Sequence, residues 1–310
     1  DDKDSLTIRV SLGLKPQFER SLFWSPKKRI SPGHRPLFAA APEGVYVHEG
    51  GGVDHIRLFD HEGNYLRTVY PFPPDYSSAE AKSDSPKALQ AALSKVVGLT
   101  WNECAQDGKF APEWQGLQFS TLLTSGDNSG TGTRRINPTK YGSAASVMAW
   151  NAGPGSGKPG YLALAKQRLN RLATDGTTGG LPLQGPETAL PGRPDREGRP
   201  TWMLPTSALF SPDGKYLYLL IGQAITRMEF AGDKPPTPFV GDPLTPGKDD
   251  AHFTNPMSIA VDSAGRLYVA DYNNDRIQVF TPDGKLYKSV AATKPLRVFV
   301  HPKTGHIYVA

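Results

Sequence analysis

Residues 256–290, PMSIAVDSAGRLYVADYNNDRIQVFTPDGKLYKSV, constrain the fold of this chain more than any other stretch. Four runs of five or six apolar-rich residues are separated by turn signals. MSIAV ends at Asp262 and Gly265 turns the chain into LYVAD. YNND turns it into RIQVF, and TPDG turns it into KLYKSV. Strands this short, with polar and glycine punctuation at each end, form an antiparallel meander. Gly284 follows Asp283 because only glycine takes a positive φ there without strain.

The pattern recurs at the other end of the chain. In residues 36–69, PLFAAAPEGVYVHEGGGVDHIRLFDHEGNYLRTV, Pro36 matches Pro256 and VYVHE matches LYVAD. DHIRLF matches DRIQVF, DHEG matches TPDG, and YLRTV matches LYKSV. A third copy starts at Pro205 (PTSALFSPDGKYLYLLIGQAITRMEF) and a fourth at Pro295 (PLRVFVHPKTGHIYVA). A weaker one runs from about Ala145 through SVMAW and GYLALAKQRLNRLATDG. The starts at Pro256 and Pro295 lie 39 residues apart, near the period of roughly 40–45 residues of propeller blades. A single blade cannot bury its apolar face, so blades stack around an axis with small and branched residues innermost. The expected fold is all-β: a β-propeller of four-stranded blades, about six in number. The copy from Pro295 stops after its second strand at Ala310. The expectation is one domain over 1–310 that is incomplete at its C-terminal end.

The repeat resembles the NHL repeat, and the resemblance implies a propeller without fixing its job, since propellers host enzymes, receptors and scaffolds. Amidating lyases with NHL-like blades bind zinc through histidines on inner-strand segments. The inner strands here read PLFAAA, PTSALF, PMSIAV and PLRVFV, without histidine, which argues against that chemistry. Gluconolactonase-like and strictosidine-synthase-like propellers bind a metal through Glu, Asn and Asp at the axis. Asp262 stands at such a position, but Pro42, Ser211 and His301 replace it in the other copies, so Asp262 is expected to cap a turn.

Two segments do not read as blades. Residues 76–144 are too long for a connection, and within them Pro86–Val97 carries the start signal and apolar stripe of a helix. Trp101, Phe110 and Trp114 follow in irregular sequence, and the insertion is expected to pack outside its own blade, on a second copy of the chain or on its unseen remainder. Residues 181–204, LPLQGPETALPGRPDREGRPTWML, are proline-rich and read as an extended loop.

Composition narrows the function classes. No run of about 18 apolar residues exists, so no membrane-spanning helix is expected. Cys104 stands alone, which excludes an intrachain disulfide and any thiolate zinc site. GPGSGKP at 153–159 falls one residue short of a phosphate-binding loop, and Pro159 occupies the place of the metal-binding hydroxyl. The net charge is +5, and residues 15–36 hold six basic side chains against Glu19. A solvated basic loop accounts for that excess better than a nucleic-acid site, which would need a continuous basic face. No catalytic set, metal-ligand set or cofactor motif is found.

The reading is therefore a non-catalytic binding or structural module, with a protein partner or self-association. A propeller hydrolase or lyase and a nucleic-acid binder stand as alternatives. The lack of an initial Met and the Gly/Ser/Thr/Pro-rich loops point to an exported bacterial protein, periplasmic or at the cell surface. The loops that precede each inner strand, and those between second and third strands, should share one end of the ring. That end would carry His34, Arg35, His55, Trp202, Asn255, Asn274, Arg276 and Lys294 around one opening, where a ligand is expected because loops on a rigid scaffold carry function. Arg276 has a second reading, as a brace for the neighbouring blade.

Overall fold

The computed structural model describes residues 37–49, 55–70, 145–152, 159–175, 179–182, 184–301 and 304–310. They are almost entirely short strands, each paired antiparallel with its sequence neighbour. The first blade comprises β1 (Leu37–Ala41), β2 (Gly44–Glu49), β3 (His55–Phe59) and β4 (Tyr65–Tyr70), in that order. The second holds β5 (Val147–Asn151), β6 (Tyr161–Ala165), β7 (Arg168–Ala173) and β8 (Gln184–Glu187). A two-residue hairpin follows, β9 (Leu190–Pro191) with β10 (Trp202–Met203). The next blade is β11 (Pro205–Phe210), β12 (Tyr216–Ile221), β13 (Ala224–Glu229) and β14 (Thr237–Gly241). After it come β15 (Pro256–Val261), β16 (Leu267–Asp271), β17 (Arg276–Phe280) and β18 (Leu286–Ala291), then the pair β19 (Val298–Val300) and β20 (Ile307–Val309).

These residues fall into two compact units, one within Arg20–Pro186 and one over Glu187–Ala310. In the first, β1 packs on β5, and the Arg67 guanidinium donates to the Thr174 carbonyl at 2.6 Å. In the second, β11 packs on β15 and β15 on β19. Neighbouring first strands thus meet, as they do when propeller blades stack. All-β blades of four strands are what the repeat register predicts.

Burial explains why the middle strands read as unbroken apolar runs rather than alternating ones. Both faces of β16 are covered, and all five of its residues are buried. On one face Ile259, Leu267, Val269 and Phe280 pack against Tyr218, Leu220, Ile225 and Val240 of the preceding blade. On the other, Ala260, Tyr268, Ala270, Ile277 and Val279 pack with Val298 and Ile307 of the following one. Each fully buried Val, Ile, Leu or Phe contributes about 1.5–3 kcal/mol.

The turns carry their own hydrogen bonds. Asp262 Oδ1 accepts from the amides of Ala264 (3.0 Å) and Arg266 (2.9 Å), and Oδ2 accepts from Arg266 Nε (2.6 Å) and the Tyr268 hydroxyl (3.0 Å). That is the expected turn cap. Burial and the hydrogen bond to Asp262 together push the Tyr268 hydroxyl well above its ordinary pKa. Ser211 plays the capping part in the preceding blade, where its Oγ accepts from the Tyr216 amide.

In the turn at Thr281–Gly284, the Thr281 hydroxyl and then Lys285 hold the Asp283 carboxyl down to about 2. Its folded value lies below the unfolded one, so its contribution is complete above pH ~4 and lost as pH falls through 2. The Asp283 carboxyl carbon should therefore titrate near pH 2 by NMR. A midpoint near that of a free aspartate, about 3.9, would show that the turn does not hold it.

Residues 181–204 differ from expectation. They are not a plain loop but hold β8, the hairpin β9–β10, and a turn in which Asp195 Oδ1 accepts from the amides of Glu197 and Arg199. Proline masked the strands. Pro186 sits in β8 and Pro191 in β9, and Pro238 likewise sits in β14, which the sequence reading missed. An outermost strand tolerates proline because one of its edges needs no ladder donor. The helix expected over Pro86–Val97, and residues 71–144 generally, lie outside the described residues. Among the described residues no helix is long and apolar enough to cross a membrane.

Candidate interaction surface at the loop end

In the unit Glu187–Ala310, the starts of β11 and β15 and the 222–223 and 272–275 turns share one end of the blades. The connection 242–255 lies over that end, and one carboxylate organises it. Asp271, the last residue of β16, has no exposed surface. Its Oδ1 accepts from the Thr254 amide at 2.8 Å, and its Oδ2 from Asn274 Nδ2 at 2.8 Å and Arg276 Nε at 2.9 Å. The remaining Arg276 nitrogens reach loop carbonyls: Nη1 donates to Lys248 at 2.9 Å, and Nη2 to Asp249 at 2.8 Å and His252 at 2.9 Å. Asn274 Nδ2 and the Thr254 hydroxyl both donate to the Gly247 carbonyl, at 2.8 and 2.9 Å. The result is a clasp: one buried ion pair satisfies the backbone of a long loop that would otherwise leave its carbonyls unpaired.

The sequence-derived residues sort as follows. Arg276, only 12% exposed, spends its donors on Asp271 and the loop. Asn274 is part of the same clasp. Asn255 adopts a positive φ of 58°, and its amide donates to Gln223 Oε1 at 2.7 Å, which ties the loop to the turn of the neighbouring blade. Lys294 stands at φ 45°. Its amide donates to Asp275 Oδ1 at 2.9 Å, and its ammonium lies 5.1 Å from the Tyr272 ring centroid. Trp202 is 48% exposed on the β9–β10 hairpin. That hairpin reaches the same end, since Arg193 donates to the Leu244 carbonyl at 2.9 Å and Met203 Sδ lies over Gly222.

The structure therefore brings Trp202, Asn255, Asn274, Arg276 and Lys294 to one end of this unit. His55 begins β3 in the other unit, opposite Glu49. His34 and Arg35 lie outside the described residues.

Sequence reasoning missed Asp271, Thr254 and Gln223. The signal for the first was present: a carboxylate ending an apolar strand, with an arginine at the start of the next. Around these groups, exposed polar side chains such as Lys248, Asp249, Asp275 and Lys294 surround a small apolar contribution. Leu244, 39% exposed, joins Trp202 there. His252 Nδ1 lies 2.8 Å from Asp249 Oδ1, and that contact, followed by the Ala251 amide, lowers the Asp249 pKa. Among the described residues no group of three or more His, Cys, Asp or Glu side chains converges to hold a metal ion.

Comparison with known proteins agrees with the blade structure. The NHL repeat model matches residues 253–280, the segment from Phe253 through the clasp to the end of β17. Peptidyl-glycine alpha-amidating monooxygenase A of Xenopus laevis is 34% identical over 89 residues, 28% of this chain and 10% of that protein. A probable peptidyl-alpha-hydroxyglycine alpha-amidating lyase of Caenorhabditis elegans is 41% identical over 54 residues, 17% of this chain and 15% of that one. The chain thus spans a small fraction of either relative. Among solved structures, a protein of unknown function from Bacteroides thetaiotaomicron aligns with a TM-score of 0.45 at 9% identity, covering 91% of this chain and 57% of that one. Hydrazine synthase of Kuenenia stuttgartiensis aligns with a TM-score of 0.38 at 12% identity, covering 89% and 80%. With the repeat register and the four-stranded blades, the match over residues 253–280 identifies that segment as an NHL repeat within a fold of β-propeller-type blades.

Proposed function

We propose that this chain is a non-catalytic interaction module, of the exported kind its loop composition suggests, which binds a protein partner through the loop end of the Glu187–Ala310 unit. One observation carries the reading. The buried pair Asp271 and Arg276 is consumed in holding the loop, while Trp202 and Leu244 face solvent. Tryptophan supplies large contact area at low conformational cost and dominates protein interfaces. A rigid base beneath it lowers the ordering cost of binding.

The double variant Trp202→Ser/Leu244→Ser tests this surface. Both side chains are exposed, so its melting temperature should match the wild type within about 1–2 °C. Partners retained on the immobilised wild type in extracts of the source organism should be lost from the variant. Equal retention by both proteins would remove this surface from consideration.

The amidating relatives favour a second reading, a lyase. Incubation of the protein with a peptidyl-α-hydroxyglycine substrate and added zinc separates the two. Release of the amidated peptide at a rate proportional to protein concentration would overturn the non-catalytic reading.

A further inference from the structure

Three arginines of the Glu187–Ala310 unit are half-buried: Arg227, Arg266 and Arg276. Two are neutralised, Arg266 by Asp262 at 2.6 Å and Arg276 by Asp271 at 2.9 Å. Arg227 is not. Its guanidinium carbon lies 4.7 Å from the Tyr216 ring centroid and 4.4 Å from that of Phe239. Among the described residues no acceptor hydrogen-bonds it and no carboxylate pairs with it. Two aromatic contacts hold the cation in place while leaving its in-plane N–H groups without acceptors.

These groups border a cavity of about 410 Å³, lined by Arg227, Tyr216, Met228 and Pro235, with Glu229, Asp233, Lys234 and Thr237 completing the wall. The volume falls in the range of small-molecule sites, roughly 300–1,000 Å³. It lies at the β13–β14 connection, the end of the blade opposite the Trp202 surface.

We infer that this cavity is a binding site for a small carboxylate ligand, of amino-acid to tripeptide size, whose carboxylate pairs with Arg227. A guanidinium pre-positioned by stacking loses little freedom on binding. Its fork matches the two oxygens of a carboxylate. Lys234 adds positive charge, and Pro235 and the Tyr216 ring offer an apolar wall for an aliphatic side chain. Glu229 is drawn toward Lys215, whose ammonium is 3.7 Å away. The site is independent of the interaction surface proposed above and stands whether or not that surface binds a partner.

The carboxylate could belong to a peptide C-terminus or to a free acid, and three probes distinguish them: N-acetyl-leucine, its C-terminal amide, and the tripeptide Gly-Gly-Leu. Binding is followed by NMR on the Lys234 and Thr237 backbone amides, which border the cavity, and by calorimetry. Both acids should bind, and the amide should bind at least about tenfold more weakly. A tripeptide tighter than N-acetyl-leucine assigns the site to peptide termini, and equal affinities assign it to free acids. Arg227→Gln keeps a planar group between the two rings but removes the charge and the fork, and should lower affinity for the acids at least about tenfold. Lys234→Gln, at an exposed position, should weaken it less and serves if Arg227→Gln fails to fold. The inference is overturned if acid and amide bind alike, if no probe shifts the Lys234 and Thr237 amides at millimolar concentration, or if a folded Arg227→Gln protein binds as the wild type does.

Discussion

Asp271→Ala is expected to destabilise the Glu187–Ala310 unit by about 3–5 kcal/mol, the cost of breaking a buried ion pair from one side. The loss has identifiable parts. Arg276, 12% exposed, would keep its charge without the carboxylate that compensates it. The Thr254 amide and Asn274 Nδ2 would lose the acceptors that now lie 2.8 Å away. Urea denaturation of wild type and variant measures the total. Limited proteolysis measures the local part: with the clasp broken, trypsin should cut after Lys248 faster than in the wild type, because that backbone is now fixed by Arg276. The double variant Asp271→Leu/Arg276→Leu should lose less than the two single losses combined, since it leaves no uncompensated charge. A single-variant loss below about 1 kcal/mol would mean that the pair behaves like a surface salt bridge and that the clasp does not hold the loop.

Phe253→Ala should cost a comparable amount, about 3–5 kcal/mol, by a different mechanism. Phe253 is the other anchor of the 242–255 connection. It is fully buried, meets Phe280 edge to face with ring centroids 5.7 Å apart, and belongs to the core between the two blades. Its ring lies against Gly241, where an added Cβ would approach within 3.0 Å, so the backbone has closed tightly around it. Truncation leaves a cavity that this packing cannot collapse to fill. Phe253→Leu keeps most of the volume and should cost less than about 1.5–2 kcal/mol. Thermal and urea unfolding of both variants give the comparison. Equal losses for Ala and Leu would point to the aromatic pair rather than to the cavity. Because Phe253 and Asp271 anchor one loop, Phe253→Ala and Asp271→Ala together should destabilise by less than their sum.

These residues also show what kind of information the sequence carried. The strands at Leu267–Asp271, Arg276–Phe280 and Pro205–Phe210 were legible at their ends. Apolar periodicity and turn residues act locally, within four or five positions, and the repeat let one copy vouch for another. The turn role of Asp262 was legible for the same reason, since the amides it accepts from are two and four residues away. Strands rich in proline were not. Thr237–Gly241 and Gln184–Glu187 contradict their own local preference, and only their place at the outer edge of a blade makes them strands.

The loop end was half legible. The sequence grouped Asn255, Asn274, Arg276 and Lys294 by repeat position, because equivalent positions in stacked blades must share an end. It could not show that Arg276 reaches carbonyls 24–28 residues earlier in the chain, nor that Asn255 leans on Gln223. Contacts that distant leave no periodicity. Arg227 was invisible altogether. In the sequence it is one cation in AITRMEF. The rings that hold it, Tyr216 and Phe239, stand 11 residues before it and 12 after it, on β12 and β14. Local pattern determined where strands begin and how blades repeat. The stacking of strands and blades alone decided which charges are clasped and which is left open to a ligand, because that depends on distances between residues that sequence order does not relate.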